Sequence, residues 1–329
     1  MSAQAAPVAL EDLQGPLRAQ LEAVEAELER IVAADFPLIS EVNSHLLQMR
    51  GKMFRPMLVL LATEASGVRH PRAVTLASVI ELVHLATLVH DDAVDHSVLR
   101  RGMPTVNSAF SHQVSVIMGD YLYSRAMTEL VRLDEMEPLR IVAHLTNEMT
   151  IGEMRQLLAH DALAFTESEY DLLIRSKTAS LLAGACEVGA VGAPAPVQRA
   201  LARYGEALGM AFQIVDDLLD YTADEAATGK PSGLDLREHK VTLPLIAALP
   251  RMSAAARADV ERLMDTAEPG DEQIASVVRA VADAGGLAYA RDRAQRLAQQ
   301  AEAALAVLPP SSAREALRAG ISYVLERRR

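Results

Sequence analysis

The sequence predicts an all-α protein, and three observations carry that prediction. Apolar residues recur at three- and four-residue spacing between prolines and glycines that fall about every 20–30 residues. Alternating runs of β-branched residues are nearly absent. Ala, Leu, Glu and Arg, all good helix formers, dominate the chain. No Gly/Ser-rich linker, composition shift or solenoid repeat divides the 329 residues, so they read as one domain, 1–329.

Taken in order, Gly51-Lys52-Met53-Phe54-Arg55-Pro56 reads as a loop that precedes a helix. Longer helices are expected over about 71–95, 105–133, 138–161, 167–190 and 197–221, set off by prolines, glycines or caps. Thr166-Glu-Ser-Glu169 is a capping box, with Phe165 and Tyr170 near the positions of a hydrophobic staple. Ser312-Ala-Arg-Glu315 opens a final helix that ends in Arg327, Arg328 and Arg329, where cations suit the negative pole of the helix dipole.

The composition removes whole classes of function. Half of the residues are hydrophobic, too many for a disordered chain. With 44 acidic and 32 basic residues the net charge is -12, the wrong sign for neutralising nucleic-acid phosphates, so no nucleic-acid partner is expected. Seven Tyr, five Phe and no Trp make an aromatic stacking platform a poor fit. The single cysteine, Cys186, rules out an intrachain disulfide and suits a reducing compartment. The N-terminus reads as no signal peptide. The longest weakly polar stretch, Leu181 to Val197, is too broken by Glu187, two prolines and three glycines to span a membrane. A cytoplasmic location is expected.

Chemistry concentrates at two helix ends. Ile80–Asp95 is an apolar helix that ends in Asp91, Asp92 and Asp95, with Asp91 and Asp95 one turn apart on one face. Aspartates there face the negative pole of the dipole, and two carboxylates about 5 Å apart repel by roughly 3 kcal/mol at an effective dielectric near 20. A cation relieves both penalties. Phe212–Asp220 repeats the pattern with Asp216, Asp217 and Asp220. In a chain with 19 Asp, two chance D-D-x-x-D matches have an expected frequency of about 0.002. Six oxygen donors without a Cys/His set suit a hard cation, and Mg²⁺ bridges carboxylates to substrate phosphates. Two such clusters face to face would clamp a diphosphate through metal.

Basic residues lie nearby: Lys52 and Arg55 in the early loop, Arg100 and Arg101 after the first cluster, Lys230 and Lys240 after the second. Lys177 shares the apolar stripe of its helix with Ile174, Leu181 and Val188, where an unpaired ammonium is costly. It either snorkels to water or faces an enclosed anion, with the Thr178 hydroxyl beside it. His84 lies seven residues before Asp91 on nearly the same face, as a core histidine or a ligand.

Together these segments resemble the trans-polyprenyl diphosphate synthases. The resemblance rests on Gly51–Pro56, Glu81–Gly102, Gly152–Gln156, Lys177–Ala179, Phe212–Asp220 and Gly229–Pro244, and runs from about residue 35 to 250. It implies a single large helical bundle of the isoprenoid-synthase type around a central cavity, a homodimer, and about three Mg²⁺ per active site. By the resemblance, Asp91, Asp95 and Asp216 hold the metals and Asp92, Asp217 and Asp220 support them. Lys52, Arg55, His84 and Arg101 bind the diphosphate of isopentenyl diphosphate. Arg100, Lys177, Thr178, Gln213, Lys230 and Lys240 surround an allylic diphosphate, with Thr178, Gln213 and the backbone carbonyl of Lys177 also steadying an allylic cation. Met53, His96 and His239 depart from the family pattern, and none is a metal ligand.

The hydrocarbon is expected to grow along the helix before Asp91. Val83, Ala86 and Thr87 lie there, and the two positions where the family places a blocking Phe or Tyr are Ala86 and Thr87. Both are small, which predicts a deep pocket and a product of roughly 30–50 carbons. Any membrane association is expected to be peripheral, through the lipid product. Three rivals follow: a geranylgeranyl diphosphate synthase with Met118 or Tyr121 as the pocket floor, a terpene cyclase, and a noncatalytic synthase subunit.

Overall fold

The computed structural model describes residues 9–49, 51–158, 162–222 and 233–327. Four helices, α1 (Leu10–Gln14), α2 (Arg18–Val32), α3 (Pro37–Gln48) and α4 (Phe54–Ser66), lead to α5 (Ala73–Val94). A two-stranded hairpin follows, β1 (Leu99–Arg100) and β2 (Met103–Pro104), antiparallel with Arg100 opposite Met103. Next come α6 (Val106–Ala109), α7 (His112–Leu133), α8 (Met136–Leu158) and α9 (Glu167–Ile174). A π-helical turn, Arg175–Ala179, joins α9 to α10 (Ser180–Gly189), before α11 (Ala195–Thr222). The remainder is α12 (Leu234–Arg237), α13 (Leu243–Ala248), α14 (Ala254–Asp265), α15 (Asp271–Asp283), α16 (Gly286–Ala304) and α17 (Ser312–Leu325). The fold class is all-α, as expected.

A helix that is apolar all round must be buried on all sides. α5 obeys: every residue from Leu76 to Ala86 is buried. By length and composition it passes for a membrane span, and it outranks Leu181–Val197 as the longest apolar stretch. With 72% of its apolar window inside the protein, it is a core helix. α7 and α2 pack along it, α10 lies against both α4 and α11, and α16 runs along α11. A second, smaller core gathers Tyr221, Leu236, Leu245, Val260 and Val277, and meets the main core at Ile246 and Leu287.

Two expected helices are interrupted, each for a local reason. Ser111 is extended and caps α7 by accepting the Val114 amide at 3.2 Å, which separates α6 from α7. The span 167–190 contains the π turn, and the Ser180 hydroxyl donates to the Ser176 carbonyl at 2.6 Å within it. The Thr166 capping box forms as read. The last helix is capped by Ser311 rather than Ser312, because Ser311 is the extended residue whose hydroxyl reaches the Arg314 amide.

Candidate active site

The end of α5 presents its aspartates to different surroundings. Asp92 is buried and held by a forked pair with Arg100, whose Nε lies 2.9 Å from both carboxylate oxygens and whose Nη2 lies 2.8 Å from Oδ1. The hairpin makes this possible: Arg101 and Gly102 both have positive φ, as a tight primed turn demands, and so return Arg100 to the helix end. Asp95 is exposed. Asp91 is half-buried, and burial pushes its carboxyl up to about 6 against the pull of Lys177.

Lys177 neither snorkels away nor stands unpaired. Its Nζ lies 2.8 Å from Glu153 Oε1, 3.0 Å from Gln156 Oε1 and 3.9 Å from Asp91 Oδ2. It therefore sits between the two aspartate motifs, because its neighbour Thr178 faces the second one. Thr178 Oγ1 donates to Gln213 Oε1 at 2.8 Å, which turns the Gln213 amide nitrogen onto Asp217 Oδ1 at 2.9 Å. The Tyr170 hydroxyl donates to the other Asp217 oxygen at 2.5 Å. Burial lifts Asp217 to about 7, against these two hydrogen bonds. Asp220 accepts the amides of Leu234 and Asp235, both at 3.0 Å, and so ties α11 to α12. Asp216 faces Arg327 Nη1 at 3.0 Å.

A cavity of ≈ 410 Å³ opens over this arrangement, lined by Lys177, Thr178, Gln213, Asp217, Asp235 and Lys240, among others. Lys240 pairs with Glu238 at 2.6 Å, and His239 before it adopts a positive φ of 56°, a conformation glycine would accept without strain. Lys230 lies outside the described residues.

A basic recess adjoins the site. The charges of Arg55 and Arg101 both act on His84 and on the buried carboxylate of Glu81. Burial, then the arginine charges, holds His84 well below its usual range, so its imidazole is neutral. Arg101 Nη1 donates to the Met49 carbonyl at 2.7 Å, and a Cβ at Gly51 would come within 2.9 Å of its guanidinium. Arg55 Nε and Arg327 Nε are buried without a hydrogen-bond partner among the described residues, while Arg327 Nη1 meets the Asp216 carboxylate. Lys52 stands apart from this group, exposed beside a separate cavity with Glu11, Gln14 and Arg18.

Four residues at the site were not picked out as ligands in the sequence. Tyr170 reads there as a helix staple, Arg327 as a dipole cation, and Glu153 and Asp235 as parts of matching segments. Arg327 departs from its expected role because it leaves the helix end, stacks 4.0 Å over the Phe212 ring and meets Asp216.

The donor set fits a divalent cation. It is all oxygen, and burial holds Asp91 and Asp217 above the usual carboxylate range, a cost that bound positive charge removes. No group of three or more His, Cys, Asp or Glu side chains is assembled for a metal among the described residues. That suits an ion which takes one or two carboxylates and completes its shell with substrate oxygens.

Residues 36–281 match the polyprenyl synthetase family. The chain is 39% identical over 309 residues to the all-trans-nonaprenyl-diphosphate synthase (geranyl-diphosphate specific) of Rhodobacter capsulatus, covering 93% of this chain and 94% of that one. It is 37% identical over 311 residues to the octaprenyl diphosphate synthase of Escherichia coli, with the same coverage. The crystal structure of a polyprenyl synthase from Caulobacter crescentus, complexed with calcium and isoprenyl diphosphate, superposes with a TM-score of 0.92 at 33% identity, over 99% of this chain and 100% of that one.

Proposed function

We infer that this chain, which belongs to the polyprenyl synthetase family, is a prenyltransferase that condenses isopentenyl diphosphate head-to-tail with an allylic diphosphate, giving a medium- to long-chain all-trans polyprenyl diphosphate. One observation supports the reading: Lys177 lies 3.9 Å from Asp91 while its neighbour Thr178 leads through Gln213 to Asp217, which links the two aspartate-rich helix ends. The cofactor is a divalent metal, which we assign as Mg²⁺, about three ions per site. Asp91, Asp95 and Asp216 would hold it, and Asp92, Asp217 and Asp220 support them. When bound, it neutralises charge on the departing diphosphate.

The chain's own residues do the rest. We assign the diphosphate of isopentenyl diphosphate to Arg55 and Arg327, each with an unpartnered buried Nε, together with Arg101 and neutral His84, and Lys52 joins them by the resemblance alone. Lys177, Thr178, Arg100, Lys230 and Lys240 flank the allylic diphosphate. The oxygens of Thr178 and Gln213 are already fixed by hydrogen bonds, so their negative ends face the allylic cation without reorganising. Burial keeps water from quenching that cation. The proton lost after attack passes to the released diphosphate, so no protein nucleophile is needed. Cys186 is buried with its thiol pushed far up, and takes no part.

We assign the chain-length pocket to Val83, Ala86 and Thr87 on α5 and the product to roughly 30–50 carbons. A homodimer covers the apolar side chains exposed on α7 and α8, among them Ile117, Met154 and Leu157. The test is turnover by the purified chain with Mg²⁺, labelled isopentenyl diphosphate and each allylic primer, with the dephosphorylated products sized. Chelator-sensitive products in that range are expected. A twenty-carbon limit would transfer the assignment to a geranylgeranyl synthase, and no turnover by the chain alone would leave it a subunit of a heteromer.

A further inference from the structure

A second cavity, ≈ 730 Å³, lies between α11, α16 and the start of the π turn, and shares no lining residue with the active-site cavity. Four arginines line it, Arg175, Arg199, Arg203 and Arg293, against one acid, Glu206. In a chain of net charge -12 this is a local reversal of sign. Guanidinium groups gathered round a concave surface repel one another and focus a positive field there. Two of them are already neutralised: Arg175 Nε lies 3.0 Å from Glu206, and Arg293 Nη2 lies 2.8 Å from Asp171. Arg199 and Arg203, one helical turn apart on α11, have no carboxylate partner among the described residues, and the only bond to either guanidinium is Arg203 Nε to the Arg199 carbonyl. Arg293 Nε is buried without a hydrogen-bond partner among the described residues. The floor between the arginines is apolar, formed by Ala200, Ala207, Met210 and Leu297.

Charge on one side and hydrocarbon on the other define the occupant. We propose that this cavity binds a phosphorylated amphiphile, with the phosphate held by Arg199, Arg203 and Arg175 and the chain laid over Ala207, Met210 and Leu297. Forked guanidinium donors match phosphate oxygens bidentately. The volume is that of a site for one small molecule, so the ligand is a single amphiphile rather than a bilayer surface. The inference does not depend on the reaction assigned above.

Dodecyl phosphate tests it, because it has no allylic bond and cannot be a substrate. It is titrated calorimetrically, below its micelle concentration, into the metal-free chain in EDTA. Saturable one-to-one binding is expected, at least tenfold weaker in the double variant Arg199→Glu/Arg203→Glu and at least tenfold weaker for dodecanol. Glu206→Gln releases Arg175 and should tighten binding, a direction that misfolding does not produce. Turnover of the double variant should stay within twofold of the parent. Equal binding by parent and double variant, or equal binding of dodecanol, overturns the proposal. So does association with anionic vesicles alone and not with the monomeric amphiphile.

Discussion

Tyr170 acts on the site through one hydroxyl. Burial drives Asp217 up to about 7, and the hydrogen bonds from Tyr170 and Gln213 hold it from rising further. Tyr170→Phe removes one of these, so Asp217 stays protonated to higher pH. A hydrogen bond to an ionised carboxylate contributes about 1.5–3 kcal/mol, so we expect a roughly tenfold loss of kcat at pH 7 that recovers at pH 9. A pH–rate profile superimposable on the parent would exclude this positioning role. The same carboxylates set the pH dependence of the metal. Asp91 and Asp217 are raised to about 6 and about 7, so both are protonated below those values and ionised above them. A cation must displace those protons in acid. Its affinity in the presence of diphosphate should therefore fall as pH drops from 8 to 6, by about tenfold in all through Asp217 and about twofold through Asp91. Calorimetric titration at three pH values checks this, and a flat series would contradict it.

Two elements position these residues by how closely they approach. A Cβ at Gly209 on α11 would lie 2.6 Å from the Ala179 Cα, a backbone atom that cannot swing aside. That approach sets the π turn against α11, and Gln213 follows one turn later to meet Thr178. Gly209→Ala should force the elements apart, cost about 1–3 kcal/mol, and lower Tm by about 2–8 °C. Turnover should fall with it, and an unchanged melting curve with full activity would dismiss the contact. On α5, Ala86 is buried five residues before Asp91. Ala86→Tyr should shorten the product, because a bulky ring beside the growing chain leaves no room for further units. Product sizing decides it, and an unchanged length places the pocket elsewhere. The helices themselves were legible, since periodicity and caps are local signals. The π turn was not, because no local pattern distinguishes five-residue backbone hydrogen bonding from four.

Across the molecule, the end of the chain returns to its first third. Phe54 lies near both Phe212 and Tyr323, with ring centroids 6.1 and 5.7 Å away, and Arg327 lies over Phe212 against Asp216. Arg327 also adds its charge to the recess that holds Arg55. Arg327→Ala should raise KM for isopentenyl diphosphate about tenfold with kcat little changed, as expected when one charge-assisted contact is lost from substrate binding. Steady-state kinetics with each substrate varied in turn would show it, and an unmoved KM would remove Arg327 from the site. By itself the sequence determined the helical class and the two aspartate clusters, because spacing along one helix dictates which side chains share a face. It also pointed to a hard cation, since the clustered donor atoms are all oxygen. Tertiary structure decided which aspartates carry protein partners: Asp92 is held by Arg100, Asp217 by Tyr170 and Gln213, and Asp220 by two backbone amides. It also brought Lys177 between the motifs and Arg327 to Asp216. Those outcomes depend on contacts between residues up to about a hundred positions apart, and burial, which sets the carboxylate pKa values, exists only once the helices have packed.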